Sequence, residues 1–218
     1  MPATIQQLEL NPGLRRTQRA REAATNERLA EGVVVRRGLL EVSTCVHVVY
    51  NTDEQNISDE QIQSQVDVLN EDFRASNSDL DRVPDVWRPF AADTQLEFRL
   101  AEVTRTHTDR AFFSDDDVKF TARGGHDVID PDRNLNIWVC NLDPYLGYAY
   151  FPGIQAEIDG VVIGHRWLGT EGTATEPYNL GRTATHEIGH YLNLYHIWGE
   201  GTCRFAVTPT SSKIPQTS

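Results

Sequence analysis

The sequence predicts an α+β fold: a twisted mixed β-sheet of about five strands, one backing helix, and a second helix carrying a metal-binding histidine pair. Three patterns predict it. Strand-like runs recur along the chain, a helical apolar stripe lies between the first two of them, and a His-x-x-x-His pair sits near the end. Val42 to Tyr50 alternates and is rich in β-branched residues, giving a first strand. Ser58 then opens a helix, its side chain and Gln61 forming a capping box while Ile57 staples to Ile62. Ile62, Val66, Leu69 and Phe73 follow as one apolar stripe, the backing helix. Gln95 to Val103 alternates through Leu96, Phe98 and Leu100, a half-exposed strand. Leu135 to Cys140 is nearly continuously apolar, as a buried central strand should be. Gly147 to Phe151 and Asp159 to Ile163 supply the last two strands.

Chemistry concentrates in HEIGHYLNLYH, from His186 to His196. Residues four apart share a helical face, so His186 and His190 point together and Glu187 lies beside them. His196 falls six residues beyond His190, off that face. It can join the others only if the helix stops and the chain turns. Asn193 sits midway in the gap, and asparagine is the non-glycine residue best suited to the left-handed position that ends helices. Neutral imidazoles from His186, His190 and His196 would give zinc three protein ligands and leave a position for water. Glu187 is the candidate general base and acid. A surface helix can carry a bare HExxH by accident, but not readily a third histidine at this offset beyond a turn-competent residue.

The same run matches the extended HExxHxxGxxH pattern of metzincins, with Asn193 in the place of the usual glycine. Around it, VHVVYNT (46–52), ISDEQIQSQVDVLNEDF (57–73), NLNIWVCNL (134–142), LGYAYFPG (146–153), DGVVIG (159–164) and NLGRTATHEIGHYLNLYHIWG (179–199) resemble the pappalysin family, which includes ulilysin-like enzymes. The resemblance implies a metzincin catalytic N-terminal subdomain over residues 43–203 and a secreted zinc endopeptidase, often stabilised by calcium. It also implies that Gly147, Tyr148, Ala149 and Tyr150 form the edge strand of the cleft's upper rim, binding an extended substrate by strand addition. An ordinary edge strand is the competing reading of the same alternation.

The chain departs from the family pattern at its end. Metzincins place a methionine-containing turn beneath the metal, within a C-terminal subdomain; here the only methionine is Met1, and residues 197–218 are all that follow His196. That subdomain is therefore expected to be missing. Residues 204–218 lack periodicity and read as a non-native tail. Codons permitted for Val207 to Ser218 spell, in a shifted frame, the D-x-V-x-D-T-P-x-Q stretch common in relatives, so a frameshift after Cys203 is one explanation. Residues 1–42, with Arg15-Arg16, Arg19, Arg21 and Arg36-Arg37 among polar residues, read either as a mobile or partly helical extension or as a remnant activation segment. No cysteine precedes Cys45, which argues against cysteine-based latency.

With 218 residues and 39% hydrophobic content, the chain can bury the core of one domain. A net charge of −12 argues against nucleic acid or an anionic membrane as partner. No stretch reads as a transmembrane run or a signal peptide. A monomer acting on protein or peptide substrates is expected. Cys45 lies in an apolar strand and reads as a buried free thiol, while Cys140 and Cys203 can pair or stand alone. His47, His107, His126 and His165 lack ligand spacing and read as structural or exposed. Asp115-Asp116-Asp117 reads as a solvated turn, with calcium binding the lesser reading. Two functions stand against each other: a zinc metalloendopeptidase using Glu187, and a truncated zinc-binding fragment with weak or no catalysis.

Overall fold

The computed structural model describes residues 12–32 and 38–196. Cys203, its pairing with Cys140, and the 204–218 tail lie outside these residues. Helix α1 (Pro12–Ala30) precedes strand β1 (Leu40–Tyr50), helix α2 (Asp59–Phe73) and strand β2 (Leu96–His107). Strands β3 (Leu135–Cys140), β4 (Gly147–Ala149) and β5 (Val161–Gly164) follow, and helix α3 (Arg182–Tyr191) comes last. Residues 12–30 of the N-terminal extension are thus helical, and its last residues, from Leu40, already belong to β1. No helix among the described residues is long and apolar enough to cross a membrane.

The five strands form one mixed sheet in the order β2-β1-β3-β5-β4. β2, β1, β3 and β5 run parallel, and β4 is antiparallel on the outer edge. Parallel neighbours need crossovers, and α2 lies in the one from β1 to β2. Its stripe of Ile62, Val66, Leu69 and Phe73 packs with Val46, Val48, Ile137, Val139, Ile163 and, from α3, Ala184 and Ile188. Each large side chain so buried stabilises the fold by roughly 1.5–3 kcal/mol. The opposite face is covered by loops around Trp138, Phe113, Val118, Tyr148 and Tyr150.

Three expectations need correction. The alternation read in β1 gives way to continuous burial from Thr44 to Val49, because β1 lies between β2 and β3 with both faces covered. Its polar residue His47 is satisfied internally: Nδ1 lies 2.8 Å from Thr104 Oγ1 and Nε2 2.8 Å from Asn136 Oδ1. The capping box has one arm only. Ser58 Oγ accepts from Gln61 N–H at 3.2 Å, but the Gln61 side chain turns inward. There its Nε2 donates to His165 O and Leu168 O, both at 3.0 Å, and its Oε1 accepts from Thr173 N–H at 2.9 Å. Gln65 Oε1 accepts from Gly169 N–H and its Nε2 donates to Gly181 O, so α2 fastens the whole segment that leads into α3. Gly169 is required at this junction: its φ is +71°, and an added Cβ would lie 2.6 Å from Gln61 O.

The acidic run is the third correction. Asp117 pairs with Arg110 at 2.7 Å and Arg123 at 2.8 Å, while Asp115 caps a short 3-10 turn by accepting from Asp117 N–H. Asp116 meets the buried Lys119 at 3.0 Å. Asp116 and Asp117 are thus tied into the covering layer by cations of the chain itself, so only Asp115 of the run is a solvated turn residue. Cys45 is buried and free as expected, and Cys140 is buried with no disulfide partner among the described residues.

Candidate metal centre

α3 starts at Gly181, whose φ of +68° turns the chain into the helix without a side-chain cap. Its first turn is held by α2 instead. Arg182 pairs with Asp72 and, at 2.9 Å, with Asp79, and Thr185 Oγ1 donates to Asp72 Oδ2 at 2.7 Å. Burial raises the Asp72 carboxyl, opposed by the Thr185 bond and the Arg182 charge. The helix is therefore fixed at its base before the histidines begin.

Its far end is a Schellman closure. Asn193 adopts φ +72°, its N–H bonds His190 O at 2.9 Å, and Leu194 N–H bonds Gly189 O at 2.9 Å. The chain then reverses and brings His196 back beside the helix. Asn193 is strained in this conformation, and its Oδ1 is buried without a hydrogen-bond partner among the described residues. Asn193→Gly is therefore expected to raise stability by about 1 kcal/mol, measured by urea unfolding of the zinc-loaded chain. A loss of stability would show that the asparagine side chain does something the turn itself does not require.

The three imidazoles converge. His186 Nε2 lies 3.1 Å from His190 Nε2 and 3.1 Å from His196 Nε2, and the last two are 3.2 Å apart. A tetrahedral zinc with bonds of about 2.05 Å sets its ligand atoms about 3.3 Å apart, so the triangle fits the ion. His190 Nδ1 donates to Leu194 O at 2.8 Å, which leaves Nε2 with its lone pair facing the triangle. Burial, with the other two rings adding to it, lowers His186 to about 4, and burial and His190 lower His196. Unprotonated nitrogens packed this closely repel one another, and a shared cation removes the repulsion. These are also the histidine, cysteine or carboxylate residues that cluster closely enough for a metal among the described residues.

Glu187 points from the same helix toward β4. An added Cβ on Gly147 would stand 3.1 Å from its Cγ, so the absence of a side chain there lets the carboxylate sit against the strand. Burial raises the Glu187 carboxyl to about 8, against the pull of a backbone hydrogen bond from Ala149. A cleft of about 460 Å³ opens beside it, lined by Tyr145, Gly147, Pro177, Tyr178, Leu180 and Glu187 among others. Of the rim residues, Gly147 and Ala149 face this side. Tyr148 and Tyr150 send their rings to the opposite face, so only their backbones belong to the rim. Sequence reading gave no sign of the anchors Asp72 and Arg182, or of the groups that hold those tyrosines.

Comparison with known proteins places this geometry. Mature mirolysin from Tannerella forsythia, solved in complex with a cleaved peptide, superposes with a TM-score of 0.74 at 45% identity, covering 78% of this chain and 69% of that one. The chain belongs to the pappalysin family of metzincins. A promirolysin mutant from the same organism matches this pappalysin chain with a TM-score of 0.79 at 39% identity, over 91% of this chain and 69% of that one. An extracellular metalloprotease from Trichophyton verrucosum is 30% identical over 184 residues, covering 79% of this chain and 59% of its own. A second, from Arthroderma gypseum, is 29% identical over 175 residues, covering 75% and 51%. The pappalysin chain thus spans between half and three-fifths of the length of these two curated relatives. No family model matches it.

Proposed function

We propose that this chain is the metal-binding, substrate-rim portion of a secreted zinc metalloendopeptidase, with His186, His190 and His196 as ligands and Glu187 as general base and acid. The observation that carries this reading is the 3.1–3.2 Å triangle of Nε2 atoms with the Glu187 carboxylate on the same helix. Zinc held there would acidify a water, polarise a scissile carbonyl and favour the carboxylate form of Glu187. Glu187 takes a proton at its carboxylate and delivers it to the leaving amine. The outward backbone of β4 binds an extended peptide beside it. Gly164 N–H bonds Leu146 O at 2.9 Å, and antiparallel alternation from that pair turns the Tyr148 backbone toward β5 and those of Gly147 and Ala149 outward. Residues 1–42 are read as an activation segment. The proenzyme match supports this, since it reaches 91% of the chain against 78% for the mature enzyme.

A second reading, zinc binding with weak hydrolysis, is favoured by the openness of the site: Tyr178, Leu180 and Leu194 are exposed beside the histidines. One experiment separates them. The purified chain is expected to hold about one zinc per molecule by elemental analysis, and His190→Ala to lose it, because a three-ligand site does not survive removal of its central imidazole. Cleavage of a casein-derived peptide by the zinc-loaded parent favours the endopeptidase. Zinc without cleavage favours the second reading, and absence of zinc defeats both.

A further inference from the structure

β4 is three residues long and paired on one side only, the kind of edge element that opens readily. Yet it carries the rim and supplies the backbone bond to Glu187. What holds it lies on its other face. Tyr148 is buried there, and its hydroxyl lies 3.0 Å from Asp115 O and 3.1 Å from Asp116 Oδ1. The Tyr150 hydroxyl donates to Asp116 Oδ2 at 2.5 Å. Lys119, fully buried, donates from Nζ to Ile158 O at 2.7 Å and meets Asp116 Oδ1 at 3.0 Å. The same ammonium lies 5.1 Å and 4.8 Å from the ring centroids of Tyr148 and Tyr150, and 5.4 Å from that of Trp138 on β3. One cation thus faces three aromatic rings, a carboxylate that receives a tyrosine hydroxyl, and the loop before β5.

Stability alone does not account for this arrangement. Replacing a buried ion pair by apolar groups of equal volume is often neutral or stabilising, which turns attention to the geometry the pair enforces. The geometry points to Lys119 and Asp116 as positioning residues of the substrate rim: they hold Tyr148 and Tyr150, thereby fix β4 against β5, and so set where the outward backbone of Gly147 and Ala149 stands relative to Glu187. This inference rests on the metalloendopeptidase reading for its meaning in substrate binding, but its structural part can be measured independently. Neither residue touches substrate or metal; both act through β4.

The test uses the full zinc-loaded chain carrying Lys119→Met with Asp116→Asn, a pair that keeps volume and leaves no orphaned charge, and separately Tyr150→Phe. Amide exchange at Tyr148, whose N–H faces β5, is expected to quicken by about tenfold or more in the double variant, while β3 and α3 keep their protection. Affinity for an extended peptide hydroxamate should fall by about tenfold, and in Tyr150→Phe by about threefold, with zinc content and affinity for acetohydroxamate held within about twofold. Unchanged exchange at β4 overturns the inference. So does a parallel loss of acetohydroxamate and zinc, which marks general unfolding. If the parent binds zinc and acetohydroxamate but no extended peptide, the strand-addition part of the proposed function fails, while the exchange result still decides whether the cluster fixes β4.

Discussion

Glu187→Gln is expected to lower kcat/KM for an unstructured peptide by about 10²–10⁴-fold with zinc content unchanged. The amide preserves size and the possibility of a hydrogen bond to the β4 backbone, but it cannot accept or return a proton. Because Glu187 lies between the ligands in sequence yet points to β4 rather than into the histidine triangle, the substitution leaves the three Nε2 atoms in place. KM should move little under the proposed function, in which the outward backbone of β4, and not Glu187, holds extended substrate. Elemental analysis and steady-state kinetics on the same preparation check both halves. Loss of zinc in this variant, or full retention of activity, would remove Glu187 from the role of proton carrier.

Acid should destabilise the metal-free chain through a residue far from the cleft. Asn136 Oδ1 accepts from Ile129 N–H at 2.9 Å, which fixes the orientation of its amide. Oδ1 can only accept, so His47 Nε2 bears the proton and donates to it, and Nδ1 accepts from the Thr104 hydroxyl. Both nitrogens of the neutral ring are satisfied. A second proton would force the Thr104 hydroxyl to turn and accept, and would bury a charge against His126, whose ring stacks at 4.6 Å. Burial accordingly lowers His47 from 6.5 to about 4, with the Asn136 bond opposing and His126 adding to the shift. Between those values the unfolded chain takes up a proton that the folded chain refuses, so stability is full above 6.5 and falls as pH drops toward 4.

The loss from this residue between pH 7 and pH 4.5 should be about 2 kcal/mol. His165, and in the metal-free chain His186 and His196, all lowered chiefly by burial, add in the same direction, so the comparison with a His47 variant is what separates its share. Glu187, raised by burial to about 8, and Asp72 and Asp159, also raised by burial, act in the opposite direction as pH falls. Urea unfolding with metal removed isolates the contribution: His47→Gln should flatten the profile relative to the parent, whatever its stability at pH 7. An ordinary histidine titration of His47 near 6.5 by NMR would rule the account out.

The sheet and the site were legible in the sequence to different depths for physical reasons. The ligand set is local, and a helical period of 3.6 with one left-handed residue is enough to place His186, His190 and His196 together. The stripe of Ile62, Val66, Leu69 and Phe73 and the apolar run of β3 were equally readable, because burial leaves its mark on one face or on both. What stayed hidden depends on partners distant in the chain. Ser58 and Gln61 have capping-box spacing, but the segment 165–173 takes the Gln61 side chain. Asp115 to Lys119 reads as a polar turn until Tyr148 and Tyr150 arrive from thirty or so positions away. A buried lysine has no local signature, since its environment is made entirely by tertiary packing.

The Schellman closure at Asn193 has a kinetic side. With the helix stopped there, the outermost ligands are only ten positions apart, and the loop that must close to gather all three is short. The rim and the sheet behind it rest on pairings such as Cys45 with Asn136, whose sequence separation makes them slow to form. Gathering of the candidate ligands and assembly of the cleft are therefore expected at different stages of folding. Under the proposed function, the three candidate ligands would come together on a helix and a turn while the strand proposed to receive substrate is still searching for its neighbour.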